Sequence, residues 1–295
     1  MDQFFSQLSP MLWSKQSKFY STNSGIYIGE GSAYLVDPGM APDELESIAQ
    51  FLVEHQLTPR QLILTHSHWD HLLGPIRFPS VSIITQANYR RIFNDFRESY
   101  IRQRETRWHT KYDVPLVNPF VVPTPDDTFT DMTILTDKRI ELHLCYAPGH
   151  TDDLLVIYQP EYATLWASDM LSDKEIPFIW YSIDAYQNTL VTLSKWDIEI
   201  LVPGHGSCAT NRSEVQNRIS EDLAYVKELR DRIITAINAG KTLNETLEFC
   251  TQMHYRNLDE NADSHLLNVE NGYIEFGGET DQEEIGWEQL RLDSI

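Results

Sequence analysis

Seven side chains able to bind a metal ion fall in one order along this chain of 295 residues. Four lie in a single run, Thr65-His66-Ser67-His68-Trp69-Asp70-His71, which has the form H-x-H-x-D-H and follows the apolar stretch Leu62-Ile63-Leu64. The other three sit in separate tight turns: Pro148-Gly149-His150-Thr151, Ala167-Ser168-Asp169 and Pro203-Gly204-His205-Gly206. Imidazole and carboxylate together suit Zn, Fe or Mn, not a soft thiolate site. Seven donors are too many for one four-coordinate ion and suit two divalent ions that share a carboxylate. A lone histidine is more often structural than a ligand; a cluster of four followed by three in turns is not a chance pattern. Any fold for this chain must bring four distant turns together.

The surrounding pattern says how. Gly25-Ile26-Tyr27-Ile28-Gly29 and Ala33-Tyr34-Leu35-Val36-Asp37 read as short strands joined by a Gly-rich turn. A helix is predicted from Pro42 to about His55, with Leu45, Ile48, Ala49 and Leu52 on one face. Gln61 to Leu64 reads as a buried strand, so the H-x-H-x-D-H run leaves the C-terminal end of a strand, where α/β folds usually place their sites. Strands are predicted again at Met132–Leu135, Ile140–Tyr146, Leu154–Tyr158, Ala163–Ala167 and Glu199–Val202. A helix is predicted near Asp184–Lys195. A second carries Ile219, Leu223, Val226, Leu229, Ile233 and Ile237, and a third opens at the capping box Thr242-Leu243-Asn244-Glu245. Alternating β and α elements in two halves, with ligands from both, suggest two sheets face to face with helices outside.

Residues 86–111 stand apart. Tyr89, Ile92, Phe93, Phe96 and Tyr100 recur at helical spacing, and the stretch carries Arg90, Arg91, Arg97, Arg102, Arg104, Arg107 and Lys111. The plain reading is an amphipathic helix with a solvated basic face. The functional one is a lid, spanning 86–122, whose aromatics line a pocket and whose arginines attract an anionic group. Phe93 and Arg97 are its candidate substrate contacts, with Trp180 and Tyr181 of the loop after Asp169 as a second wall.

With 44 acidic and 23 basic residues the formal charge is −21, which disfavours nucleic acid and anionic membrane as partners. Three cysteines cannot build a disulfide framework, and the first residues lack a basic-then-apolar leader, so a cytoplasmic location is expected. Residues 1–256 are read as one domain. Residues 257–295 are read as an acidic arm, solvated or a homodimer contact; from Leu258 on, eleven acids face one base, Arg291.

These residues resemble the metallo-β-lactamase-fold hydrolases, whose superfamily includes glyoxalase II-like thioesterases and lactonases. The resemblance covers roughly residues 20–210, with all four ligand turns in family order, separated by 84, 19 and 36 residues. It implies a four-layer αββα sandwich with an inserted helical lid and C-terminal helices. By similarity His66, His68 and His150 would hold one ion and Asp70, His71 and His205 the other, bridged by Asp169. Asp37, in Leu35-Val36-Asp37-Pro38-Gly39, would orient a ligand histidine from behind, and Thr65 joins it there. The implied cofactors are two divalent ions, Zn before Fe or Mn.

The departures narrow the choice. The Ser168-Asp169 turn lacks the cysteine of exported class B1 lactamases, and His68 stands where flavodiiron relatives carry glutamate. Ser172 stands where known homoserine-lactone lactonases carry tyrosine, although Tyr181 follows in the same loop. The basic C-terminal signature of true glyoxalase II is not evident, and Asp152-Asp153 is similar to a subset linked to quinolone signalling.

The implied function is hydrolysis of a small-molecule ester, thioester or lactone by a metal-bridging hydroxide, with Asp70 able to ligate and to accept a proton. A metal-containing signalling or binding protein with little turnover, or a phosphodiesterase, are the alternatives.

Overall fold

Residues 26–27, 33–36 and 62–64 read as apolar runs because both faces of their strands are covered. A computed structural model describes residues 5–93, 97–114 and 120–279, and the chain divides into two units. The first comprises Met1–Ala147, Asp152–Asp169 and Asp197–Val215. It holds a sheet of seven strands in chain order: β1 (Ser6–Gln7), β2 (Leu12–Gln16), β3 (Asn23–Ile28), β4 (Ser32–Val36), β5 (Thr58–Ile63), β6 (Ser82–Gln86) and β7 (Asp127–Phe129). A second sheet, in the order β12-β11-β10-β9-β8, is built from β8 (Met132–Thr136), β9 (Glu141–Tyr146), β10 (Leu155–Gln159), β11 (Thr164–Ser168) and β12 (Ile200–Pro203).

Side chains alternate across the first sheet with the strand period of two. Ile26, Leu35, Leu62 and Leu64 join one apolar cluster with Leu45, Ile48, Phe51 and Leu52 of helix α1 (Pro42–Glu54). Their neighbours Tyr27, Tyr34, Val36 and Ile63 join another with Leu142, Leu144, Leu155, Ile157 and Trp166 of the second sheet. Burying each such side chain contributes about 1.5–3 kcal/mol. Gly25 sets how closely the sheets approach: a Cβ there would lie 2.6 Å from Cζ3 of Trp166, whose indole is fully buried.

The parallel pairs decide where the ligand turns emerge. β4 pairs with β5, and β11 with β12, in parallel. Helix α1 is the crossover between β4 and β5. It starts at Pro42, whose missing N–H costs nothing in a first turn, and the Glu44 carboxylate accepts from the backbone N–H groups of Met40 and Ala41.

The basic segment is helical in two pieces, a 3₁₀ stretch at Ala87–Phe93 and helix α2 at Arg97–Tyr112. Phe96, one of the stripe residues, lies outside the described residues. α2 buries Ile101, Glu105 and Trp108, and Trp108 packs on Trp69 of the ligand run with ring centroids 5.3 Å apart.

The second unit comprises Pro148–Thr151, Met170–Trp196 and Gln216–Ile295. Its helices are α3 (Ile183–Leu193), most of α4 (Arg212–Asn238), α5 (Leu243–Cys250) and α6 (Ala262–Glu275). Thr242 and Glu245 form the capping box read from the sequence: Thr242 N–H donates to Glu245 Oε2 at 2.8 Å and Glu245 N–H to Thr242 Oγ1 at 3.3 Å. The reading of 257–295 as an arm is corrected for Ala262–Glu275, which forms α6 and buries His265, Leu267, Asn268, Val269, Gly272 and Tyr273. Its acidic composition hid these inward positions. Residues 280–295 of that arm lie outside the described residues. Among the described residues no helix is long and apolar enough to cross a membrane.

Candidate metal centre

Four strand ends of the first unit supply the site. Asp37 follows β4, the run His66–His71 follows β5, Asp169 follows β11 and His205 follows β12. Each lies at the C-terminal end of a parallel strand, where the loops splay apart and leave room for polar groups. Trp69–His71 forms a 3₁₀ turn that brings Asp70 and His71 beside His66, whose ring centroid is 4.3 Å from that of His71.

Donor atoms converge in two groups. His66, His68 and Asp169 offer atoms within 4.8 Å of one another, and so do Asp70, His71 and His205. Asp169 stands between them. Its Oδ1 is 3.1 Å from His71 Nε2, and its Oδ2 is 3.4 Å from His205 Nε2 and 3.5 Å from His66 Nε2. Asp70 Oδ2 lies 3.3 Å from His205 Nε2 and 3.7 Å from His71 Nε2.

Which ring nitrogen faces inward is fixed from behind. His71 Nδ1 donates to Asp37 Oδ2 at 2.9 Å. His205 Nδ1 donates to the carbonyl of Tyr20 at 3.1 Å. For His66 the argument runs through two hydroxyls. Ser168 Oγ donates to Thr65 Oγ1 at 2.7 Å, and Thr65 Oγ1 donates to Asp37 Oδ2 at 2.6 Å. Both hydroxyl protons are thereby committed, so His66 Nδ1, 3.1 Å from Thr65 Oγ1, must be the donor. In the neutral rings, Nε2 is then a lone pair aimed at carboxylate oxygens. Acceptor against acceptor is repulsive unless a proton or a cation lies between.

The charge state bears this out. Burial pulls the His71 imidazole down, but Asp169, Asp70 and Asp37 outweigh it and hold it well above the ordinary histidine value. Burial likewise opposes ionisation of Asp70, yet His71 and His205 hold it below the usual carboxylate range. Such a cluster has the donor types, the tautomers and the negative charge that divalent ions require, so the group fits. The residues that would hold it are those two sets of three.

His150 belongs to the second unit. Its Nδ1 donates to the carbonyl of Phe178 at 2.6 Å, so Nε2 is the ring atom that could ligate. The backbone N–H of Trp180 donates to the His150 carbonyl at 2.9 Å, so the following loop holds the turn.

Of the other sequence candidates, Asp37 and Thr65 are joined as above, and Thr65 N–H also donates to Asp37 Oδ1 at 2.8 Å. Arg97 gives Nη1 to Asp152 Oδ1 at 2.8 Å, while Arg91 Nη1 takes Asp152 Oδ2 at 3.0 Å. Phe93 and Tyr181 are exposed, and Trp180 is half-buried with its ring edge-on to Phe178. Sequence reasoning missed Ser168, Tyr20 and Phe178. The last two act through main-chain carbonyls, which carry no residue signal, and Ser168 is marked only by its place before Asp169. The Tyr20 ring is also exposed beside Trp69, 6.1 Å between centroids, as a further wall near the ligand run.

The metallo-beta-lactamase superfamily profile matches residues 18–205, more than half of the chain. The chain belongs to this superfamily, and its two sheets are those of the family's sandwich. It is similar to a linear primary-alkylsulfatase from Pseudomonas sp., with 20% identity over 249 residues, covering 72% of this chain and 47% of that one. A 48-residue stretch is 44% identical to a hydroxyacylglutathione hydrolase from Saccharophagus degradans, 16% of each chain. Among solved structures it resembles a double mutant of the sec-alkylsulfatase PisA1 from Pseudomonas sp., with a TM-score of 0.72 and 15% identity, over 96% of this chain and 51% of that one. The chain thus spans about half the length of these alkylsulfatases. The glyoxalase II-like branch is only weakly suggested, by that short stretch.

Proposed function

We propose that this chain is a dinuclear metal-dependent hydrolase acting on a small ester, thioester or lactone. The observation that carries the reading is the position of Asp169, whose carboxylate touches imidazoles of both donor groups. In this reading His150 Nε2 completes the group of His66, His68 and Asp169. Two divalent ions, Zn before Fe or Mn, would supply Lewis acidity and make a bound water acidic near neutral pH. The chain's own residues do the rest. Asp37 holds His71 in its ligating tautomer, and Thr65 and Ser168 do the same for His66. Asp70, held ionised by its histidine neighbours, accepts a proton during turnover. Phe93, Trp180 and Tyr181 are proposed as walls for a small-molecule substrate. The acidic composition disfavours nucleic acid as a partner, and the three cysteines, too few for a disulfide framework, support a cytoplasmic enzyme.

A sulfate ester is the second reading. It is favoured by the likeness to sec-alkylsulfatase over nearly the whole chain. The two readings share the metal chemistry and differ in the bond broken, an acyl C–O or C–S bond in the first and a bond of a sulfate ester in the second.

Proton release from metal-loaded protein, followed by pH-stat, tests both. The substrates are carboxylic esters, thioesters, lactones, alkyl sulfates and phosphodiesters, and hydrolysis of each releases acid. Turnover of the first three classes, abolished by Asp70→Ala, is the expected result. Turnover of alkyl sulfates alone would move the assignment to the second reading. Silence across the panel with two metal equivalents bound would overturn the hydrolase and leave a binding protein.

A further inference from the structure

His150 is oriented by a carbonyl, and that carbonyl is oriented by a helix near the far end of the described chain. Phe178, whose carbonyl accepts from His150 Nδ1, sits in Pro177-Phe178-Ile179, a stretch in neither helix nor strand. Its place comes from α6. Asn268, fully buried, takes the main-chain groups on either side of Phe178: Nδ2 donates to the Pro177 carbonyl at 2.6 Å, and Oδ1 accepts from Ile179 N–H at 2.8 Å. One amide thus closes around Phe178 as a strand partner would.

The network behind Asn268 fixes which way its amide points. His265 Nε2 lies 3.1 Å from the Cys250 carbonyl, an acceptor only, so Nε2 carries the proton. His265 Nδ1 then accepts from the Tyr225 hydroxyl at 3.0 Å, and that hydroxyl accepts from Asn268 Nδ2 at 2.9 Å. A flipped amide would set NH₂ against the Ile179 N–H. The same face of α6 continues the grip. Asn271 donates to the Ile179 carbonyl, and Glu275 accepts from Ser182 Oγ and Ile183 N–H at the start of α3. Asn268, Asn271 and Glu275 are spaced i, i+3 and i+7, so one stripe of the helix is polar and faces inward to bind backbone.

We infer that Asn268 is a positioning residue for His150, so that α6, which lies outside the residues matched by the superfamily profile, sets the metal affinity of the group His150 joins. The inference rests on the proposed ligand role of His150. It distinguishes Asn268 from Asn261, a buried asparagine at the start of the same helix. Asn261 holds Ile176 N–H and the Lys174 carbonyl, upstream of Phe178.

The test is Co²⁺ binding by the full chain, read as tight equivalents per chain and as competition with a chromophoric chelator, with melting temperature recorded alongside. The expected result is that His150→Ala loses one of two tight equivalents. Asn268→Ala is expected to keep both but weaken one by about 10-fold, the low end for outer partners of metal ligands. Asn261→Ala should melt earlier yet bind Co²⁺ as the unaltered chain does. Equal weakening by Asn268→Ala and Asn261→Ala, or none by either, would overturn the positioning role while leaving the ligand role intact. Two equivalents in His150→Ala would overturn the ligand reading itself. If Asn268→Ala does not fold, Asn271→Ala decides: weakening of the same single equivalent supports the inference, and unchanged binding refutes it.

Discussion

A methyl group on Gly204 would lie 2.0 Å from Oδ1 of Asp169. The two turns are also tied by a hydrogen bond from Gly204 N–H to the Ser168 carbonyl. The Pro-Gly-His-Gly turn therefore needs glycine before His205 to leave room for the carboxylate, not for backbone freedom.

Gly204→Ala should displace Asp169 and with it both donor groups. The expected outcome is a folded protein that retains no tight metal. Metal analysis after dialysis, with circular dichroism to confirm the fold, checks this.

Asp37→Asn replaces an acceptor of three donors with an amide that must turn NH₂ towards Thr65 N–H or towards His71 Nδ1–H. Metal affinity should fall by about 10–100-fold. Chelator competition measures it, and unchanged affinity would show that the His71 tautomer is held by something else.

The pH dependence of the metal-free protein has a definite sign. His71 is raised above 6.5 in the folded state, so its contribution to stability is fully present below about pH 6.5 and is lost as pH rises through the higher folded value. Asp70 is lowered, so its contribution is present above pH 3.8 and lost as pH falls through the lower folded value. The chelated protein should therefore melt at progressively lower temperature as pH rises above 6.5. Added Zn²⁺ competes with the His71 proton, so the stabilisation by metal should grow over the same range. A melting temperature independent of pH there, without metal, would contradict the cluster's charge state.

Gly25→Ala should cost about 1–3 kcal/mol by forcing the Trp166 ring out of its place between the sheets. Urea unfolding gives the number. Metal content should be unchanged, since Gly25 touches none of the donors.

Arg97 is engaged by Asp152, which also holds Arg91. Arg97→Ala is expected to lower the melting temperature and leave KM for neutral and anionic esters alike. A rise in KM confined to anionic esters would return Arg97 to the substrate-contact role that its place in the basic segment suggests.

The candidate donors were legible because their chemistry is written in side-chain type and short spacing: H-x-H-x-D-H after an apolar strand, and three turns, two of which, at His150 and His205, carry Gly and Pro. The strands around it were legible for the same local reason, since Ile26/Tyr27 and Leu62/Ile63 read as apolar runs whichever face each residue takes. What stayed hidden was whatever acts through main chain or through distant partners. The carbonyls of Tyr20 and Phe178 could come from any residue type. The short strands β1 and β7 owe their pairing to neighbours rather than to their own pattern. Helix α6 was masked because the face it turns inward includes asparagines, whose partners are backbone groups elsewhere in the chain.

Asp169 has one further consequence, for how the centre fills and empties. Because the Asp169 carboxylate touches imidazoles of both donor groups, two ions held there as proposed would not be independent occupants. An ion in one group would fix the carboxylate for the other, and loss of that carboxylate would remove a donor from both. Stripping or replacing Asp169 should therefore take metal content from two to none in one step, whereas damage to any single imidazole leaves an intermediate count.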